Sequence, residues 1–107
     1  MQFLNQTELR GIIGRCNVQT ISDTKMAKLC VATEYAYKTT DGTPVIETTW
    51  HNVTAWEGRK CKNVETLKKG DKVHLVGRIR YQKFTDTEGI DKVSTDIIAS
   101  SLEIIED

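Results

Sequence analysis

Residues 26–38 and 45–56 are two long alternating runs separated by Thr39-Thr40-Asp41-Gly42-Thr43-Pro44. An Asp-Gly pair supplies the positive φ that a tight hairpin needs, so the runs are expected to return on each other as antiparallel strands. In the first run Leu29, Val31, Thr33, Tyr35 and Tyr37 share one parity. Period-two alternation over such lengths fits strand and not helix.

The end of the second run, T-T-W-H-N-V-T-A-W over 48–56, is sorted in an unusual way. Trp50, Asn52, Thr54 and Trp56 fall on one face, and His51, Val53 and Ala55 on the other. Both large rings therefore accompany the polar residues. Two flat rings on a partly polar face suit a surface that is stacked upon. The plain alternative is that both indoles are core.

The remaining pattern is also mostly strand. Residues 9–16 are apolar with Gly11 and Gly14, which in a strand mark bulges or bends. Residues 71–84 form a long strand, Asp86-Thr87-Glu88-Gly89 turns the chain, and 90–105 is the last strand. Residues 59–69 are expected as a short helix, with Cys61, Val64 and Leu67 or Lys68 on successive turns. Lys68-Lys69-Gly70 would stop it, the cations complementing the helix dipole and glycine taking the left-handed cap. The expected fold is all-β with one short helix, a five-stranded Greek-key barrel of the oligonucleotide/oligosaccharide-binding (OB) type. With 107 residues it is one domain over 1–107.

Fifteen basic and fifteen acidic residues cancel, so net charge identifies no partner. The distribution is uneven: residues 59–83 hold nine basic side chains against Glu65 and Asp71, and beyond them Lys92 stands against seven acids. Such a split can give a neutral protein one basic face, although a charge run is also what any solvated face carries. Cys16, Cys30 and Cys61 have no metal-ligand spacing and are odd in number, and Cys30 sits in an apolar run as a small core residue. Three free thiols and no signal peptide fit a reducing cytoplasm, and no apolar stretch is long enough to span a membrane.

Catalysis has little to stand on. His51 and His74 are isolated, no phosphate loop or H-E-x-x-H is present, and no cofactor or metal is expected. Single-stranded nucleic acid fits better. Tyr35, Tyr37, Trp50, Trp56 and Phe84 have cations close by in sequence: Lys38, Arg59, Lys60, Arg80 and Lys83. Bases stack on rings whatever their identity, while lysine and arginine follow the phosphates.

The motifs T-x-W-H-x-V, L-K-K-G-D-K-V and G-R-I-R-Y-Q-K-F-T-D-T-E-G, with A-T-E-Y-A-Y before them, resemble the bacterial single-stranded DNA-binding protein family over roughly residues 8–106. The resemblance implies an OB-fold subunit that binds single-stranded DNA with little sequence preference in replication, recombination or repair. It also implies a homo-oligomer, with a tetramer favoured over a dimer, and a cytoplasmic, nucleoid-associated location. The stacking aromatics carry over to Tyr37, Trp50, Trp56 and Phe84, and the phosphate-contacting cations to Lys69, Arg80 and Lys83. Lys38 and Lys60 complete the expected binding set, and His51 corresponds to a histidine near a subunit interface.

Asn52 stands where the family often has arginine, and Glu57-Gly58 where Gly-Lys is common. Residues 14–25 lack the usual Asp-Pro-Glu stretch. The sequence stops at Glu103-Ile104-Ile105-Glu106-Asp107, which reads either as a short, tailless member or as a truncated chain, and tail-mediated partners are not expected. The rival readings are a primosomal replication-restart adaptor of the same fold, a small OB-fold nuclease, and a cold-shock-like RNA binder.

Overall fold

The computed structural model describes residues 1–105, so Glu106 and Asp107, the last two residues of the Glu103-Ile104-Ile105-Glu106-Asp107 end, lie outside the described residues. Five strands form a closed barrel: β1 Thr7–Ile21, β2 Thr24–Lys38, β3 Pro44–Trp56, β4 Lys72–Thr85 and β5 Asp91–Ile104, in the order β1-β2-β3-β5-β4. All pairings are antiparallel except β3 with β5. This is the expected five-stranded OB barrel.

The hairpin read from Asp41-Gly42 is present, and its register runs unbroken from Met26↔Trp56 to Lys38↔Pro44. By contrast β3 meets β5 only at Val53↔Ile97, Thr54↔Ile98 and Ala55↔Ala99. Beyond that contact the β2–β3 and β4–β5 ribbons separate into two arms. Tyr35 and Tyr37 keep the parity of buried Leu29 and Val31, yet they lie past the barrel's end and are exposed.

Three local expectations need correction. The helix over 59–69 is a single 3-10 turn, Val64–Thr66, with backbone hydrogen bonds from Thr66 N–H to Asn63 O and from Leu67 N–H to Val64 O. Asn63 is left-handed (φ 57), which breaks the run before a helix can nucleate. The inward spacing survives: Cys61, Val64 and Leu67 are all buried and close one end of the barrel. Cys30 is not core. It alternates with buried Leu29 and Val31, so it points outward, where its thiol lies 3.6 Å from Asn52 Oδ1. Strand β1 also runs longer than expected, into a tight turn at Ser22 and Asp23, both with positive φ (49 and 66). Neither is glycine, so the turn carried no strong sequence signal.

Ile13, Val31, Val53, Val64, Val73 and Leu75 are fully buried and fill the barrel. Outside it, His74 of β4 ties three strands together: Nε2 lies 2.6 Å from Glu8 of β1, and Nδ1 3.3 Å from Glu103 of β5. Arg10 is its backbone partner on β1. The Glu8 hydrogen bond chiefly raises the imidazole pKa, opposed by partial burial and reinforced by Glu103. A raised folded pKa contributes stability that is present below the unfolded value, about 6.5, and lost as pH rises through the folded one. The melting temperature should therefore be higher at about pH 5.5 than at about pH 8.5, and His74→Gln should flatten that difference. An unchanged pH slope in the variant would assign it to other groups.

Candidate nucleic-acid interface

The face carrying Trp50, Asn52, Thr54 and Trp56 is the outer face of β3, and register extends it across the barrel. Lys28 pairs with Thr54 and Cys30 with Asn52 on β2, and Asn17 and Arg15 of β1 pair with those two. On the other side Thr54 donates to Asp96 of β5 (3.4 Å), which is the partner of Arg80 on β4. Gln82, Phe84, Ser94 and Lys92 continue this face along the β4–β5 arm.

The indoles are not core. Trp50 is 60% exposed, Trp56 40% and Phe84 47%. Each ring sits one same-face step from a polar residue: Trp50 from Asn52, Trp56 from Thr54, and Phe84 from Gln82. Between them lies a cavity of about 370 Å³, lined by Arg15, Asn17, Lys28, Asn52, Gln82 and Asp96 among others.

The Trp50 ring rests on the β1 bulge between Ile13 and Arg15. A Cβ at Gly14 would stand 2.2 Å from Trp50 Cζ3, so only glycine leaves the ring its seat. The loop before β4 anchors the same bulge, Gly70 N–H donating to Ile13 O (2.8 Å) and Ile13 N–H to Asp71 O (2.9 Å). Because the ring's far edge can swing into solvent, Gly14→Ala should change stability by less than about 1 kcal/mol. It should weaken single-strand binding by up to about tenfold, a fraction of one stacking platform. Chemical denaturation and a binding titration check the two halves separately; equal binding would mean that Trp50 does not need that seat.

The structure groups only some of the expected site residues. Trp50, Trp56 and Phe84 share the outer face, and Lys38, opposite Pro44, lies on it at the arm's tip. Tyr37, opposite Val45, falls on the other face of the β2–β3 ribbon, its ring 6.0 Å from that of Tyr35. Lys83 alternates with Phe84 and likewise faces away. Arg80 is on the face but held by Asp96, with Nη2 3.0 Å from Oδ2. Lys69 belongs to the loop bonded to the Ile13 bulge, near the Trp50 seat. Lys60 lines a separate cavity at the barrel end with Arg59 and Lys62. His51 hydrogen-bonds Thr33 across β2 (2.8 Å) and reaches no catalytic partner among the described residues.

Sequence reasoning missed Arg15, Asn17, Lys28, Gln82, Ser94 and Asp96, and it marked Gly14 as a bulge or bend without its role as the seat of Trp50. Lys28 was legible, since it holds the outward parity between buried Ala27 and Leu29. Arg15 and Asn17 were hidden by the bulge, which shifts the register of β1.

Residues 4–105 match the family described as the single-strand binding protein family. The chain is 31% identical over 104 residues to the single-stranded DNA-binding protein of Xanthomonas axonopodis pv. citri, covering 95% of this chain and 58% of that protein. It is 32% identical over 106 residues to that of Neisseria meningitidis, covering 95% and 60%. The chain thus spans about three fifths of the length of these relatives. Among solved structures, the Plasmodium falciparum SSB in complex with ssDNA superposes with a TM-score of 0.83 at 21% identity, covering 99% and 98% of the two chains. The wild-type single-stranded DNA-binding protein from Thermus aquaticus gives 0.72 at 24% identity, over 96% of this chain and 50% of that one.

Proposed function

The chain belongs to the single-strand binding protein family, and from that premise we propose that it binds single-stranded DNA with little overall sequence preference. One observation carries this: three exposed rings, Trp50, Trp56 and Phe84, share the barrel face that also presents Arg15 and Lys28. Bases stack on the rings and cations neutralise phosphates, whereas a duplex hides its base faces. Binding only the unpaired form shifts strand melting by mass action, with no catalytic step.

Arg15, Lys28, Lys38 and Lys69 serve the phosphates on this reading. Lys60, with Arg59 and Lys62, lies past Trp56 and would take the strand as it leaves the ring face. Tyr37 and Lys83 contact DNA only if it passes around the ribbon edges. The protein acts in replication, recombination or repair in the cytoplasm, as a homo-oligomer with a tetramer favoured. Apolar side chains left uncovered on one subunit, Ile12, Ile46 and Tyr81 among them, support assembly. No helix among the described residues is long and apolar enough to cross a membrane.

Tryptophan fluorescence titrated with oligo-dT, with a duplex control, tests the proposal. Quenching by single strands alone is expected, with log affinity falling against log salt by about 0.7 per phosphate contacted. A folded protein whose fluorescence and mobility ignore oligo-dT would overturn the reading in favour of the adaptor.

A further inference from the structure

The cavity between the rings has a floor unlike a phosphate track. Its centre is Asp96, whose side chain is only 15% exposed and is fixed by two neighbouring strands. Thr54 Oγ1 donates to Oδ2 (3.4 Å), Arg80 Nη2 to the same oxygen (3.0 Å), and Arg80 Nε to Oδ1 (3.4 Å). Around it stand the carboxamides of Asn17, Asn52 and Gln82. Asp96 and Asn52 also line the adjoining cavity between the arms, so they form the ridge that any strand crossing from one to the other passes over.

Paired with Arg80, the Asp96 carboxylate leaves the floor without net positive charge to hold a phosphate, and it accepts hydrogen bonds without donating any. The cations Arg15 and Lys28 stand at the rim, so the backbone is held there and the bases turn toward the floor. Thymine presents two carbonyls flanking one N–H, whereas cytosine presents its N4 amino group, the donor that Asp and Glu side chains accept. Among the described residues Oδ1 accepts only the long 3.4 Å contact from Arg80 and keeps accepting capacity.

Resting on the single-strand reading, we propose that this cavity is a base-edge subsite in which Asp96 favours an amino-bearing base, cytosine over thymine. Stacking on Trp50, Trp56 and Phe84 sets the affinity for any sequence. The floor biases which base occupies one position. Asn52 contributes the amide beside Asp96 that the second edge of the base can meet.

The test compares oligo-dU of one length with the same oligomer carrying deoxycytidine at each position in turn. The two bases differ only at position 4 and the adjacent ring nitrogen, so ring size and the thymine methyl are held constant. At the position seated over the floor, cytosine should bind about tenfold tighter, the effect of one hydrogen bond to a charged acceptor. N4,N4-dimethylcytosine, which lacks the donor, should lose that gain on the unaltered protein. Asp96→Ala, which removes both acceptor oxygens where asparagine would keep one, should bring the ratio to about one, read as a ratio because the change also releases Arg80. Equal affinity for all three bases at every position would overturn the subsite while leaving single-strand binding intact. A cytosine preference that survives dimethylation or Asp96→Ala would equally overturn the role of Asp96. Failure to bind any single strand would remove the parent reading and the subsite with it.

Discussion

Leu75→Ala should destabilise the barrel strongly. Leu75 is fully buried in β4, opposite Leu9 of β1 and Leu102 of β5, so one row of leucines crosses the three strands that close the barrel. Removing the central side chain forfeits its transfer energy and opens a cavity that the flanking strands, held by their ladders, cannot collapse into. Such changes cost about 2–5 kcal/mol. A single small domain is stable by about 5–15 kcal/mol in all, so the loss is a large share of the total. Urea unfolding should show a much lower midpoint with an unchanged slope, the mark of lost stability and not of an altered unfolded state. A shift under about 1 kcal/mol would mean that the core repacks around the gap.

Alternation made most of this fold legible. The 26–56 hairpin could be read almost to the residue, because both strands keep strict parity and Asp41-Gly42 names the turn. The i, i+3 spacing of Cys61, Val64 and Leu67 correctly marked what faces the core but not how the backbone gets there. The left-handed Asn63 and the Gly58↔Cys61 bridge fix that path, and neither leaves a periodic trace. The turn at Ser22 and Asp23 was invisible for a similar reason, since its positive φ values fall on no glycine and one of them on a serine.

The candidate site was legible one strand at a time and no further. Parity alone put Trp50 and Trp56 on a common face, and their exposure agrees with a surface role. Parity could not say that β4 and β5 would add Phe84 to that face and turn Lys83 away from it, because the register of those strands is set by the bulge at Val76 and Gly77. Nor could it pair Arg80 with Asp96, a contact between strands that depends on that same register. The run of nine cations therefore overstated one continuous basic face: the structure spreads them over the ring face, the barrel end and the reverse of an arm.

Replacing Trp50 and Trp56 together by alanine should nearly abolish single-strand binding without unfolding the protein. Each stacked base contributes about 1–3 kcal/mol, so losing both platforms removes about 2–6 kcal/mol, a weakening of about 30-fold to 10⁴-fold. The rings are exposed enough that their deletion opens no core cavity: Val53 and Ala55, on the opposite parity of the same strand, keep the barrel filled. Trp56 does sit opposite buried Met26, so what cost there is should come from that position. Anisotropy of a labelled oligo-dT measures the affinity where tryptophan fluorescence no longer can, and a thermal melt confirms the fold. Tyr37→Ala makes the sharper comparison. If the outer face alone carries the strand, that variant should bind far better than the double one, since Tyr37 projects from the reverse of the same ribbon. If instead Tyr37→Ala costs as much as Trp50→Ala, the strand must cross the ribbon's edge and use both faces. A double variant within about threefold of the parent would return the site to the cations alone, because electrostatic attraction to phosphates would then account for the affinity without any stacking.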